Sequence, residues 1–268
     1  MNDIDIYSSL ALLCVIFLGI PHGGMDAAIA RKKGWPQSYW HFITFHASYL
    51  CLSGLVIYLW YLFPLVSLFS FLVISGFHFG MSDLCKQKRK KIIPLFAHGG
   101  LIPIVIPYMN QNEVLQIFIV LVGEYNAVIL IDFLAYLVIP WLISFVLYSY
   151  YVIIGKDEFR IYINLPILLV IIFFFSPLIS FASYFCLVHS PRHIKTVYNL
   201  LDAKEKRRTL YEALSYSLIA FAMMLVSIFL LDNYTFSDRS LLIVFVGLAS
   251  LTVPHMILVD YIKENKIN

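Results

Sequence analysis

The chain has 268 residues, 61% of them hydrophobic and 13% charged, with a mean hydropathy of +0.84. Soluble domains carry about a quarter charged residues, so this composition excludes a soluble globular class and points to an all-α, polytopic integral membrane bundle in one domain, 1–268. The formal net charge of +3 decides little, because the placement of Lys and Arg matters more than their sum in a membrane protein.

Apolar runs long enough for a hydrocarbon core of about 30 Å recur throughout the chain. They predict spans near 6–29, 40–62, 65–85, 92–109, 127–155, 161–175, 177–198, 209–231 and 239–262, about nine in all, with seven to nine as the range. The first run follows the acidic MNDIDIYSS and has no small-residue cleavage site after it, so it is expected to be a retained helix and not a signal peptide. Pro177, in FFFSPLIS, cannot continue the preceding hydrogen-bond ladder, and the run 161–193 is expected to break there. The segment LQIFIVLVGE is too short to cross and is expected at the outer face or as a re-entrant piece.

With nine crossings, the basic clusters at 31–33, 86–91, 156–160 and 204–208 and near the C-terminus all fall on one side. The positive-inside rule makes that side cytoplasmic, which predicts an external N-terminus and a cytoplasmic C-terminus in the cell membrane. The four cysteines, Cys14, Cys51, Cys85 and Cys186, have no regular spacing and argue against a disulfide framework or a thiolate metal site.

All eight histidines fall in the cytoplasmic half of this topology. His22, His78, His189, His193 and His255 lie toward the inner ends of inward-running helices, and His41, His46 and His98 near the starts of outward-running ones. Intramembrane ionisable groups are costly and face a bundle interior or a watery cavity. His22 has Asp26 four residues on, which predicts one shared helical face; His78 with Asp83 and His255 with Asp260 are five apart and offset, free to reach neighbouring helices. His189 and His193, in HSPRH, are spaced to point two imidazoles at a single ion. Carboxylates bonded to the far nitrogen of such rings would fix their tautomers. A lone intramembrane histidine is also an ordinary interhelical hydrogen-bonding residue, the reading preferred for His41, His46 and His98. Glycines beside the histidines allow close helix approach, and Met25, Met81 and Met256 read as packing residues. Imidazoles suit zinc, copper, nickel or iron, and burial in lipid favours an apolar substrate.

PHGGMD at 21–26, FHFGMSD at 77–83, HSPRH at 189–193 and PHMILVD at 254–260, in this order, resemble the Brp/Blh family of membrane β-carotene 15,15′-dioxygenases. The resemblance implies oxygen-dependent cleavage of the central double bond of β-carotene into two molecules of retinal, often to supply a microbial rhodopsin. It further implies an iron(II), Fe(2+), held by His22, His78, His189 and His193, with His255, Asp26, Asp83 and Asp260 as ligand or orienting candidates. Three alternatives compete. A histidine-box hydroxylase or desaturase would need HxxHH boxes, which are absent; a metal or proton transporter would need polar groups through both membrane halves; a rhodopsin would need an intramembrane lysine. No nucleotide motif is present and no nucleic-acid partner is expected.

Overall fold

The computed structural model describes residues 5–35, 38–84 and 91–261, and the described residues are helical with no strand. Cys85, most of the basic cluster at 86–91 and the C-terminal lysines lie outside them.

The first span runs Ile6–Lys32 (α1). It is followed by α2 (Tyr39–Leu62), α3 (Pro64–Asp83), α4 (Ile92–Gly99), α5 (Leu101–Met109), α6 (Gln111–Val122), α7 (Glu124–Ile153), α8 (Phe159–Phe174), α9 (Pro177–Tyr184), α10 (Ser190–Asn199), α11 (Ala203–Leu230) and α12 (Phe236–Met256). Six described helices are long and apolar enough to cross a membrane: α1, α2, α3, α7, α11 and α12, the last extended to Asp260. The count is seven if α4 and α5, bent by 47° at their junction, form one span. Many large apolar side chains on these helices are exposed, among them Ile57, Ile139, Leu218 and Phe229, as lipid-facing surfaces require. The protein is a helical membrane protein.

The nine expected spans and the six or seven observed differ around Pro177. Helix α8 ends at Phe174 and Pro177 opens α9, so the ladder breaks where the proline predicts, and α8 and α9 are each shorter than any of the six spanning helices. The segment read as too short to cross is the 12-residue α6.

The chain divides into two compact units. The first comprises 1–11 and 65–184. Here α4 lies along α7, and the Trp141 indole donates to the Ala97 carbonyl at 3.0 Å. Helices α3 and α4 meet backbone to backbone: a Cβ on Gly99 would fall on the Gly76 carbonyl oxygen. The second unit comprises 12–64 and 185–268. Its core gathers Met25, Ala28 and Ile29 of α1 with Val197, Leu201, Ala213 and Leu258, while α2 packs along α12. Gly24 admits α11, since a Cβ there would stand 2.8 Å from the Ala213 Cα.

Candidate metal centre

Helix α1 does not keep one geometry. Ile6–Cys14 is α-helical, Val15–Gly19 is a π turn, Ile20–Met25 a 3₁₀ segment and Asp26–Lys32 α-helical again. His22 and Asp26 therefore straddle a change of pitch, and the four-residue spacing does not carry the shared face that a regular helix would give it. Three further π turns follow the same rule: Phe185–His189 ends on a histidine, Ile257–Tyr261 begins two residues after His255, and Leu101–Val105 begins three after His98. Each π turn inserts a residue that redirects the helix beside an imidazole, a placement common at functional sites.

In the second unit these distortions bring four buried imidazoles together. The ring of His22 lies 5.2 Å from that of His189, 5.4 Å from His193 and 5.2 Å from His255, centroid to centroid; His193 and His255 are 5.0 Å apart. Rings sharing one ion at a metal–nitrogen distance of about 2.1 Å would hold their centroids roughly 4.5–5.3 Å apart, a spacing that the His193–His255, His22–His189 and His22–His255 pairs match. One ligand atom each from Asp26, His193 and His255 also lies within 4.8 Å of the others, and all three residues are buried. This group could hold a metal ion.

The rings are oriented by their other nitrogens. His22 donates from Nδ1 to the Gly19 carbonyl, with the Ser190 hydroxyl 3.2 Å from the same atom. His255 donates from Nδ1 to Asp26 Oδ1 at 2.8 Å, and the Tyr49 hydroxyl reaches Asp26 Oδ2 at 2.9 Å. Phe185 stacks on His189 with centroids 5.6 Å apart and planes at 10°. An apolar cavity of about 250 Å³ opens beside the cluster, lined by His22, Asp26, Tyr49 and His255 and walled by Phe45, Leu50, Phe185, Ile219, Met223 and Leu248.

The other expected site residues have different surroundings. His78 and Asp83 belong to the first unit, both buried on α3, and Asp83 faces His98 Nδ1 of α4 at 3.4 Å. The five-residue offset thus lets Asp83 reach a neighbouring helix. Asp260 sits partly exposed in the last π turn. His41 is exposed and bonded to Ser38; His46 lies between the Phe42 carbonyl and the Tyr216 hydroxyl, both at 2.8 Å, as their structural reading predicts. Met25 is a core residue. Among the described cysteines Cys14, Cys51 and Cys186 are free, and the Cys186 thiol donates to the Cys14 carbonyl at 3.3 Å. Tyr49 and Ser190 went unnoticed in the sequence, because a tyrosine or serine in an apolar span carries no signal until its partner is known.

Apolar spans that enclose imidazoles and a carboxylate beside an apolar cavity define a membrane protein with a buried group that could hold a metal ion. Residues 13–263 match the family model described as beta-carotene 15,15'-dioxygenase, and the chain belongs to that family of oxidoreductases. It is similar to the beta-carotene 15,15'-dioxygenase of an uncultured marine bacterium, 66A03, with 34% identity over 258 residues, 94% of this chain and 92% of the relative. No solved structure matches. Membership decides against the histidine-box, transporter and rhodopsin alternatives.

Proposed function

We propose that this chain cleaves the central 15,15′ double bond of β-carotene with O2, giving two molecules of retinal, at an iron(II) held by His22, His78, His189 and His193. The observation that carries the reading is the cluster of His22, His189, His193 and His255 at the wall of an apolar cavity. His78 joins the set through its FHFG motif and its burial. An all-imidazole donor set suits iron(II) and leaves positions open for other ligands. Bound there, the metal would supply the activation of dioxygen.

The remaining work falls to the chain itself. Phe45, Leu50, Ile219, Met223 and Leu248 give the cavity an apolar wall that would exclude water and suit a stretch of an apolar polyene. Neighbouring polyene double bonds are chemically alike, so the choice of bond is a matter of holding one of them against the imidazole wall. Each carbon of the severed bond takes one oxygen atom of O2, and the reaction balances without external electrons. Retinal made this way would suit a microbial rhodopsin as recipient.

We further propose that 1–268 acts as a single carotenoid-cleaving domain in the cell membrane, with the N-terminus outside, the C-terminus cytoplasmic and nine crossings, α8 and the 177–198 segment among them. The single cytoplasmic side this gives to every basic cluster supports that count.

The test is expression in cells that accumulate β-carotene, with and without oxygen, followed by chromatography of carotene and retinal. Oxygen-dependent loss of carotene with retinal appearing near two per carotene is expected. Unchanged carotene in well-expressing, iron-replete cells overturns the reading.

A further inference from the structure

We infer that His255 is itself a ligand of the metal in this cluster, and that Asp26 and Tyr49 are positioning residues that hold its ring in the ligating tautomer. The inference rests on the metal reading above and extends it to three residues that the proposed four-histidine set leaves out.

Its ring stands as close to His22 and His193 as those rings stand to each other, at 5.2 and 5.0 Å against 5.4 Å. An ion shared by His22 and His193 would therefore have the His255 ring equally at hand. Its Nδ1 is committed to Asp26 Oδ1 at 2.8 Å, which places the ring proton on Nδ1 and makes Nε2 the ligating atom. The two Asp26 oxygens take donors from two different helices, His255 of α12 and Tyr49 of α2, and Tyr49 also lies 3.2 Å from the Leu251 carbonyl. A carboxylate buried to this degree is costly unless hydrogen bonds hold it. Held between two donors, it is rigid enough to fix an imidazole, the arrangement that orients metal-bound histidines and raises their basicity.

The backbone is shaped to the same end. Pro254 removes a helical hydrogen bond just before His255, and the π turn Ile257–Tyr261 follows it. Lys33, the residue after α1, closes that turn, its Nζ donating to the carbonyls of Leu258 at 2.6 Å and Val259 at 2.9 Å.

The experiment uses the purified full chain in detergent, loaded anaerobically with Fe(II) for affinity against a competing chelator and with Co(II) for its ligand-field absorption. His255→Ala is expected to lower Fe(II) affinity at least tenfold and to shift the Co(II) bands, with added imidazole restoring part of both. Asp26→Asn keeps the side-chain volume and is expected to lower affinity about 10–100-fold, the usual cost of losing such a carboxylate. Tyr49→Phe should have a smaller effect in the same direction. Should His255→Ala fail to fold, Asp26→Asn decides alone. Wild-type affinity and an unchanged Co(II) spectrum in the folded variants overturn the role of His255, while a wild-type chain that binds neither metal overturns the metal reading beneath it.

Discussion

Asp26 takes partners that its spacing from His22 does not predict. Its place four residues after His22 in an apolar span made it an orienting candidate, yet its bonds go to His255 and Tyr49, far away in the chain, because the 3₁₀ segment breaks the helical phase between it and His22. His189 and His193 lie on either side of a helix junction, each with its ring beside that of His22. Singly replacing His22, His189 or His193 by alanine is expected to abolish stoichiometric iron and lower retinal formation at least a hundredfold; a variant that keeps both is not a ligand. Ser190→Ala, which removes only a hydroxyl beside His22 Nδ1, is expected to keep iron with activity lowered less than tenfold, since the Gly19 carbonyl still orients the ring. At Gly24 the issue is space. A side chain there meets the Ala213 backbone, which cannot rotate aside, so Gly24→Val is expected to cost about 1–3 kcal/mol and to lower the detergent melting temperature.

Among the elements, α1 does the most to assemble the site. Its amphipathic signal is weak, and its irregular turns could not be foreseen, because π and 3₁₀ geometry is imposed by neighbours and not by local propensity. Its C-terminal end is tied to α11 by a bidentate pair, Arg31 to Glu212 at 2.9 and 2.8 Å, and by Lys32 to Glu205 at 2.5 Å. In the sequence these cations served only as markers of the cytoplasmic side. Glu212 also receives Arg208 at 2.9 Å, but Arg208 is half exposed where Arg31 is nearly covered. Glu212→Ala is accordingly expected to cost about 1.5–3 kcal/mol and Arg208→Ala under about 1 kcal/mol, read from melting of the purified protein.

For the whole molecule, the open quantity is the number of crossings. Six would return both termini to the same side, whereas seven or nine place them on opposite sides. A cytoplasmic-only reporter at the C-terminus is expected to be active, and an N-terminal tag to be accessible from outside intact cells. Both termini on one side would leave α4 and α5 short of a full span and refute nine. One iron per chain is expected in the purified protein, and two would overturn a single four-histidine site.

Composition and periodicity were enough to establish a helical membrane protein, most of its spans and the break at Pro177, because hydrophobic length and proline sterics act locally. Motif order likewise carried the family and the histidines worth testing. Which imidazole faces which carboxylate was decided only by the tertiary structure. His255 reaches Asp26 across 229 residues of chain, and Asp83 meets His98 across a glycine contact between two helices. Such pairings depend on where packed helices bend, and the bends come from close contacts that no single segment contains.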